Sequence, residues 1–304
     1  MSKSRHVVVV GAGIGGLTAA LALLKRGIDV QVYEQSNQLK EVGAGIQISS
    51  NGTRVLFALG LAAALGKVQV RPERRELRHW STGETWNWFD LGDKSIERFG
   101  TPHLMLHRGD LHGLLAGAVR SLKSDAITLN KRCVSVTSHA GHAEATFDDG
   151  SAIKAPYVIG ADGIHSNVRV CLFGPSKPVF TGCIAWRGLI PMEKLPPRLA
   201  RMVGMNWLGP HGNVLNYPVR RGEIMNFVSI YSDFIWPSLM LPQDKETIML
   251  ALERYNPVSN EFSTRPDLGK QTAGYIVATL PQLIVFSVGM KYFIKGVTSG
   301  AVKA

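Results

Sequence analysis

Cysteine is scarce: Cys133, Cys171 and Cys183 are the only ones in 304 residues. They form no C-x-x-C pair and their number is odd, so neither a disulfide framework nor a metal site is indicated, which suits a reducing cytoplasm. Runs of one charge sign are missing too. The formal net charge is +11, from 34 Lys and Arg against 23 Asp and Glu, yet bases and acids are interleaved, as in Arg71-Pro72-Glu73-Arg74-Arg75-Glu76. The excess therefore reads as a field favouring anionic ligands; no nucleic-acid motif accompanies it, and no nucleic-acid partner is expected. Long apolar runs are nearly absent. The opening Met1-Ser2-Lys3-Ser4-Arg5 before an apolar segment looks superficially like a secretion signal, but glycines interrupt that segment where a signal needs continuity. Farther on, Gln271 to Met290, between Lys270 and Lys291, combines length with no charge. Thr279, Pro281, Gln282 and Ser287 dilute it, so buried strands, or a stretch that does not pack regularly, are expected there in preference to a membrane span.

What is present begins at the N-terminus, with His6 to Gln35. His6-Val10 is a β-branched run of strand length that stops at Gly11-Ala12-Gly13-Ile14-Gly15-Gly16. From Gly15 the period becomes helical, with Leu17, Leu21 and Leu24 among alanines, and Lys25-Arg26-Gly27 closes the helix. Asp29-Val30-Gln31-Val32-Tyr33 reads as a second strand ending at Glu34. The glycines fall in the G-x-G-x-x-G order that lets a pyrophosphate lie on a helix N-terminus, and Glu34, about 20 residues on, is placed to accept ribose hydroxyls. The alternative, a glycine-rich turn in an ordinary α/β unit, does not require the acid.

Farther along, Gly43-Ala44-Gly45-Ile46-Gln47-Ile48 reads as a flexed turn into a short strand, and Asn51 to Leu65 as one helix. Val68 to Phe99 reads as a strand pair turning at Ser81-Thr82-Gly83-Glu84, with Trp80, Trp86 and Trp88 as sheet packing more readily than a ligand box. His107-Arg108-Gly109-Asp110-Leu111-His112 opens a helix reaching about Leu122. Arg108 at its mouth can meet a phosphate or ribose, or lie on the surface. Ile127 to Val136 and Ala143 to Phe147 read as a hairpin, with Asp148-Asp149-Gly150 as a turn. Tyr157 to Gly160 is an apolar strand that delivers Asp162 and Gly163 at a sharp turn, with Ser166 or Asn167 capping a helix and Arg169 pointing back from its first turn.

With these stretches together the chain resembles the flavoprotein aromatic hydroxylases, single-component FAD-dependent monooxygenases of the salicylate hydroxylase and 3-hydroxybenzoate 6-hydroxylase branch. The residues that carry the resemblance are Gly11 to Gly16 with Glu34, Arg108 followed by Leu111-His112, and Gly160-Ala161-Asp162-Gly163 through Arg169. Ala185-Trp186-Arg187-Gly188-Leu189 and Leu215-Asn216-Tyr217-Pro218-Val219-Arg220 resemble the family's substrate domain. The resemblance implies an α/β fold: a Rossmann-like FAD/NAD(P)-binding domain over 1–70 and 100–175, interleaved with a mixed-sheet substrate domain over 71–99 and 176–232. It implies FAD and NADH or NADPH as cofactors, with O2 and a small aromatic acid as partners. Gly11, Gly13, Ile14, Gly15, Gly16, Glu34 and Gln35 would hold the ADP half of FAD. Arg108, Asp162, Gly163 and Arg169 would support its phosphates or ribityl chain, and Gln47 would lie close to flavin and substrate. Tyr217 is the candidate for substrate contact, and His211, in Gly209-Pro210-His211-Gly212, is either a turn histidine or a proton carrier. Relatives often carry histidines where Asn213 and Asn216 stand, and asparagine cannot act as a base.

The resemblance fades after about Ser232. The family's last fingerprint contains a Gly-Asp pair, and none occurs from Asp233 to Ala304. The tail, 233–304, is expected to be atypical, with a helix from Asp244 to Tyr255. A homologue that binds only the adenosine half and is catalytically silent is the alternative reading.

Overall fold

The computed structural model describes residues 6–39, 44–180, 183–209 and 212–232, together with 255–256 and 261–262. The chain divides into two units, Met1–Asp233 and Phe234–Ala304. In the first, β1 (His6–Val10), α1 (Ile14–Leu24) and β2 (Asp29–Tyr33) are followed by β3 (Gly45–Ile48), α2 (Ser50–Ala58), α3 (Ala62–Gly66), β4 (Arg74–His79), β5 (Thr85–Asp90) and α4 (Asp93–Phe99). Then come β6 (Leu104–His107), α5 (Arg108–Leu122), β7 (Ile127–Thr128), β8 (Cys133–His139), β9 (His142–Phe147), β10 (Ala152–Ala155), β11 (Tyr157–Gly160) and α6 (Asn167–Phe173). β12 (Cys183–Pro191), β13 (Gly204–Gly209), β14 (Gly212–Val219) and β15 (Ile224–Ser232) complete it. In the second unit only the short β16 (Tyr255–Asn256) and β17 (Glu261–Phe262), paired with each other, are described.

The architecture is mixed α/β, as the sequence pattern leads one to expect. A parallel sheet runs β11-β1-β2-β7, and an antiparallel meander runs β10-β9-β8. β1 lies between two cores, which is why it is an unbroken valine run and not an alternating one. Val7 and Val9 pack with Leu17, Leu21 and Leu115 of α1 and α5, while Val8 and Val10 pack with Cys133, Ala145 and Phe147 of the meander. A third sheet runs β12-β15-β14-β13-β4-β5, drawing strands from two distant parts of the chain, and the ribbon β3-β6 is separate from it.

The expected helix over Asn51–Leu65 is two helices. Gly60 adopts φ +80°, its N–H donates to the Phe57 carbonyl and the Leu61 N–H to the Leu56 carbonyl. That pair of bonds is a glycine-terminated helix end, so the apolar period continues across a break. The hairpin expected from Ile127 also shifts. Ile127 pairs with Val32 in the parallel sheet, and the hairpin is β8-β9, closed at Ala140-Gly141 with Gly141 at φ +84°. α4 occupies a stretch read only as strand pair, with Gly100 at φ +77° ending it. Trp86 is buried in the third sheet while Trp80 is exposed. Tyr255, expected to end a helix, stands in a strand; the rest of that helix, and Gln271 to Met290, lie outside the described residues. Among the described residues no helix is long and apolar enough to cross a membrane.

Leu17 is fully buried between α1 and the parallel sheet. Leu17→Ala should cost about 2–5 kcal/mol of stability, read from the shift of the urea midpoint; a cost below about 0.5 kcal/mol would contradict this packing.

Candidate functional site

The glycine turn after β1 is shaped by two close approaches. Gly11 has φ +103°, and a Cβ there would lie 2.4 Å from the Ala161 carbonyl oxygen. A Cβ on Gly16 would lie 1.9 Å from the Gly11 carbonyl oxygen, so α1 can pack this tightly on its own strand only without a side chain. Gly13 and Gly15 face open space. Gly13 caps α1 and its carbonyl accepts from the Leu17 N–H at 2.9 Å; the first amides of the helix have no acceptor within the helix, and an anion is favoured at such an end.

Glu34, at the end of β2, reaches back to this turn. Its Oε2 accepts from the Ala12 N–H at 2.7 Å. Its Oε1 accepts from the Ser36 N–H at 3.0 Å and from the Ser36 hydroxyl at 2.9 Å. His112 holds the other side of the turn, donating from Nε2 to the Ala12 carbonyl at 2.7 Å. That bond fixes the histidine's tautomer and explains its burial.

Asp162 faces the turn from the end of β11. Its Oδ1 accepts from the Ser166 hydroxyl at 2.5 Å and its Oδ2 from the Val168 N–H at 3.2 Å. Ser166 in turn caps α6 by accepting from the Arg169 N–H at 2.9 Å. Arg169 is turned to its own loop, donating to the Ile164 carbonyl at 3.0 Å.

Between these groups lies a crevice of about 390 Å³. Of the residues named from sequence it brings together Gly11, Gly13, Glu34, Gln35, Asp162 and Gly163. Ile14, Gly15 and Gly16 stand behind it in the first turn of α1. Arg169 does not line it, and neither do Arg108 and Gln47. Sequence reading missed Lys131 and Arg132, which also line it; the only signal was two adjacent bases just before a strand. An open glycine position, a helix N-terminus, a carboxylate at the second strand, Arg132, and Lys131, which is paired with Asp149, form a polar lining suited to the ADP half of a dinucleotide.

Arg108 and Gln47 lie outside this lining. Arg108 opens α5, exposed, with its N–H on the Ala44 carbonyl at 3.0 Å. Gln47 lies on β3, where its Oε1 accepts from Arg75 Nη2 and from His103 Nε2, the latter at 3.1 Å. Tyr217, on β14, packs under the same ribbon: a Cβ on Gly45 would lie 2.6 Å from its ring. Burial pushes the Tyr217 phenol up to about 12, against the pull of Arg187 and Arg75. His103 is driven down to about 4, first by burial and then by the Arg75 charge. Asn213 donates to Asn206 at 2.8 Å, an amide pair without a base. His211 lies outside the described residues.

The FAD binding domain family matches residues 4–197. The 3-amino-4-hydroxybenzoate 2-monooxygenase PtmB3 of Streptomyces platensis is 36% identical over 231 residues, which cover 76% of this chain and 57% of that protein. The 3-hydroxybenzoate 6-hydroxylase 1 of Aquipseudomonas alcaligenes is 33% identical over 223 residues, 73% of this chain and 57% of that one. Among solved structures, Klebsiella pneumoniae HpxO complexed with FAD and uric acid superposes with a TM-score of 0.66 at 28% identity, covering 76% of this chain and 57% of that chain. The chain thus spans little more than half the length of these relatives.

Two outcomes are expected. Glu34→Ala removes the acceptor of the Ala12 amide and should weaken binding of FAD or ADP about 10-fold, as titration calorimetry would show; unchanged affinity would separate Glu34 from the site. For His103, the unfolded chain takes up a proton near 6.5, whereas the folded chain does so only near 4. Its contribution to stability is therefore complete above pH 6.5 and lost as pH falls toward 4, on the order of 2–3 kcal/mol. Urea unfolding of the parent and of His103→Gln at pH 7 and pH 4.5 tests this; the variant should show the smaller loss, and equal losses would contradict it.

Proposed function

The chain belongs to the FAD binding domain family, and from that premise we propose that it acts in FAD-dependent hydroxylation of a small aromatic acid of the salicylate or hydroxybenzoate type, with NADH or NADPH as reductant and O2 as oxygen source. The observation that supports this best is the convergence of the Gly11–Gly13 turn, Glu34 and the Asp162-Gly163 turn on one crevice. Bound FAD would supply hydride acceptance and oxygen activation, which no side chain can provide.

The chain's own part is to hold and orient. The Gly11 to Gly16 turn would receive the pyrophosphate, Glu34 the ribose hydroxyls, and the Asp162-Gly163 turn the opposite side of the cofactor. Glu34 Oε2, which accepts one bond from the chain, keeps acceptor capacity for a hydroxyl, whereas Oε1 is filled by Ser36. Asp162 is needed first as the group that shapes its own turn and the start of α6. Arg169 would serve the cofactor only by leaving the Ile164 carbonyl, and Arg108, at the start of α5, is proposed to meet the ribityl or phosphate region.

Tyr217 is the proposed substrate contact. With its phenol at about 12, it is a neutral donor at physiological pH and cannot be the base that converts a substrate phenol to the more reactive phenolate. His103, neutral above about pH 4, carries its Nε2 proton toward Gln47 and so cannot accept one there. His211 remains the proposed proton carrier.

A second reading is favoured by the absence of a Gly-Asp pair from Asp233 to Ala304: the chain binds the adenosine half and performs no turnover. One assay divides the readings. FAD-loaded protein should oxidise NADH several-fold faster when salicylate or 3-hydroxybenzoate is added, with a hydroxylated product found by mass spectrometry. Uptake of FAD without stimulation or product would favour the second reading, and no uptake of FAD would overturn both.

A further inference from the structure

Arg75 lies outside the glycine and Asp-Gly fingerprints, and its surroundings set it apart from the other arginines near it. Along β4 side chains alternate in direction, so Arg74, Glu76 and Arg78 share one face of the third sheet. There the buried Glu76 carboxylate gathers Arg74 at 2.9 Å, Arg78 at 3.1 Å and Arg201 at 2.8 Å. Those three cations are structural. Arg75 points to the opposite face, toward the β3-β6 ribbon.

The register shows what shares that face. Arg75 pairs with Gly204 on β13. Met205 pairs with Asn216 on β14, which brings Tyr217 beside Gly204, and Tyr217 pairs with Asn226 on β15. One row across the sheet therefore reads Asn226, Tyr217, Gly204, Arg75, with a side-chain-free position between the phenol and the guanidinium. A Cβ on Gly204 would lie 2.8 Å from the methyl of Met105, so this face meets the ribbon. From the ribbon, Gln47 receives Arg75 Nη2 and His103 Nε2 on one oxygen, and Gly45 donates its N–H to Asn226 Oδ1 at 2.6 Å.

This is a polar row where two sheets meet, with the positive charge at one end. Asn226 is fully buried, and its Nδ2 has no hydrogen-bond partner among the described residues. Tyr217 is 4% exposed and His103 8%, whereas Arg75 and Gln47 are half-buried and so reachable. A guanidinium fork matches a carboxylate in two parallel bonds, and partial burial strengthens that pairing. Gln47, itself held by His103, tethers the fork from the ribbon side, which limits the freedom lost when an anion docks.

We propose that Arg75 reads the carboxylate of the aromatic acid, with the Tyr217 hydroxyl donating to an oxygen substituent on the same ring and Gln47 and His103 positioning the guanidinium. This rests on the aromatic-acid reading above and adds the residue that distinguishes an acid from a neutral phenol. Lysine at this position would keep the charge but not the fork.

The test is equilibrium binding without NADH, using the full chain loaded with FAD and titrated calorimetrically with salicylate and, separately, with phenol. Arg75→Gln should weaken salicylate about 10- to 100-fold and leave phenol within about threefold, and Arg75→Lys should recover part of the loss. FAD uptake and the circular dichroism spectrum of each variant should match the parent, which separates a lost contact from a lost fold. If Arg75→Gln binds salicylate as the parent does, or loses salicylate and phenol alike, the assignment is overturned while the aromatic-acid reading stands. If the parent itself binds no aromatic acid, that reading fails and the assignment falls with it.

Discussion

A hydrogen bond from the Ala12 N–H to the Glu34 carboxylate at 2.7 Å, beside one from the Gly11 N–H to the Tyr33 carbonyl at 2.8 Å, ties the end of β2 to the turn that follows β1. The strands are parallel neighbours, so their ends come out at the same edge of the sheet, where ligands of open α/β sheets collect. The carboxylate alone would not define the turn. It acts on a backbone already narrowed by the approach of Gly16 to Gly11 and of Gly11 to Ala161, and His112 closes the far side. Three separate parts of the chain, β2, α5 and β11, thus fix one short loop. The cost of ordering it is met on folding and not by the ligand.

The same economy recurs where the ribbon meets the third sheet. β3 follows the first βαβ unit closely, yet Gly45 must lie flat against Tyr217 and Asn226, residues far later in the chain. A side chain on Gly45 would hold the ribbon off the sheet and separate Gln47 from Arg75. Small residues at both places let polar groups converge from elements distant in sequence, and the polar groups in turn are satisfied chiefly by the opposite element. The two regions differ in electrostatics. The crevice is lined by backbone amides, the Glu34 and Asp162 carboxylates and the bases Lys131 and Arg132, whereas the ribbon region sets the neutral Gln47, His103 and Tyr217 side chains close to Arg75, with Arg187 also acting on the phenol.

Much of this was legible in the sequence because it is local. The valine run, the glycine order, the helical leucines and Glu34 all lie within His6 to Gln35, and each has a residue type that only one backbone role explains. The turn around Ser81 to Glu84, the start of α5 at Arg108 and the Ser166 cap were legible for the same reason. What failed was also local in origin: the apolar period across Gly60 hid a helix end that needs a left-handed glycine, and Ile127 was joined to the nearest strand in sequence when its partner, Val32, lies far back in the chain. Arg75 and His103 could not be found by spacing at all. Their meeting with Gln47 depends on how a ribbon folds over a sheet built from two separate stretches, and an arginine in a mixed-charge segment looks like a surface residue. Lys131 and Arg132 were missed likewise, because their place on the crevice wall depends on the meander packing beneath β1.

The central claim is that the first glycine turn and Glu34 clasp an adenine dinucleotide. Its most direct test is a crystal structure of the chain grown with FAD. The account predicts pyrophosphate density against the Gly11 to Gly16 amides with ribose hydroxyls on Glu34; density elsewhere, or a turn whose amides face away from the ligand, would contradict it.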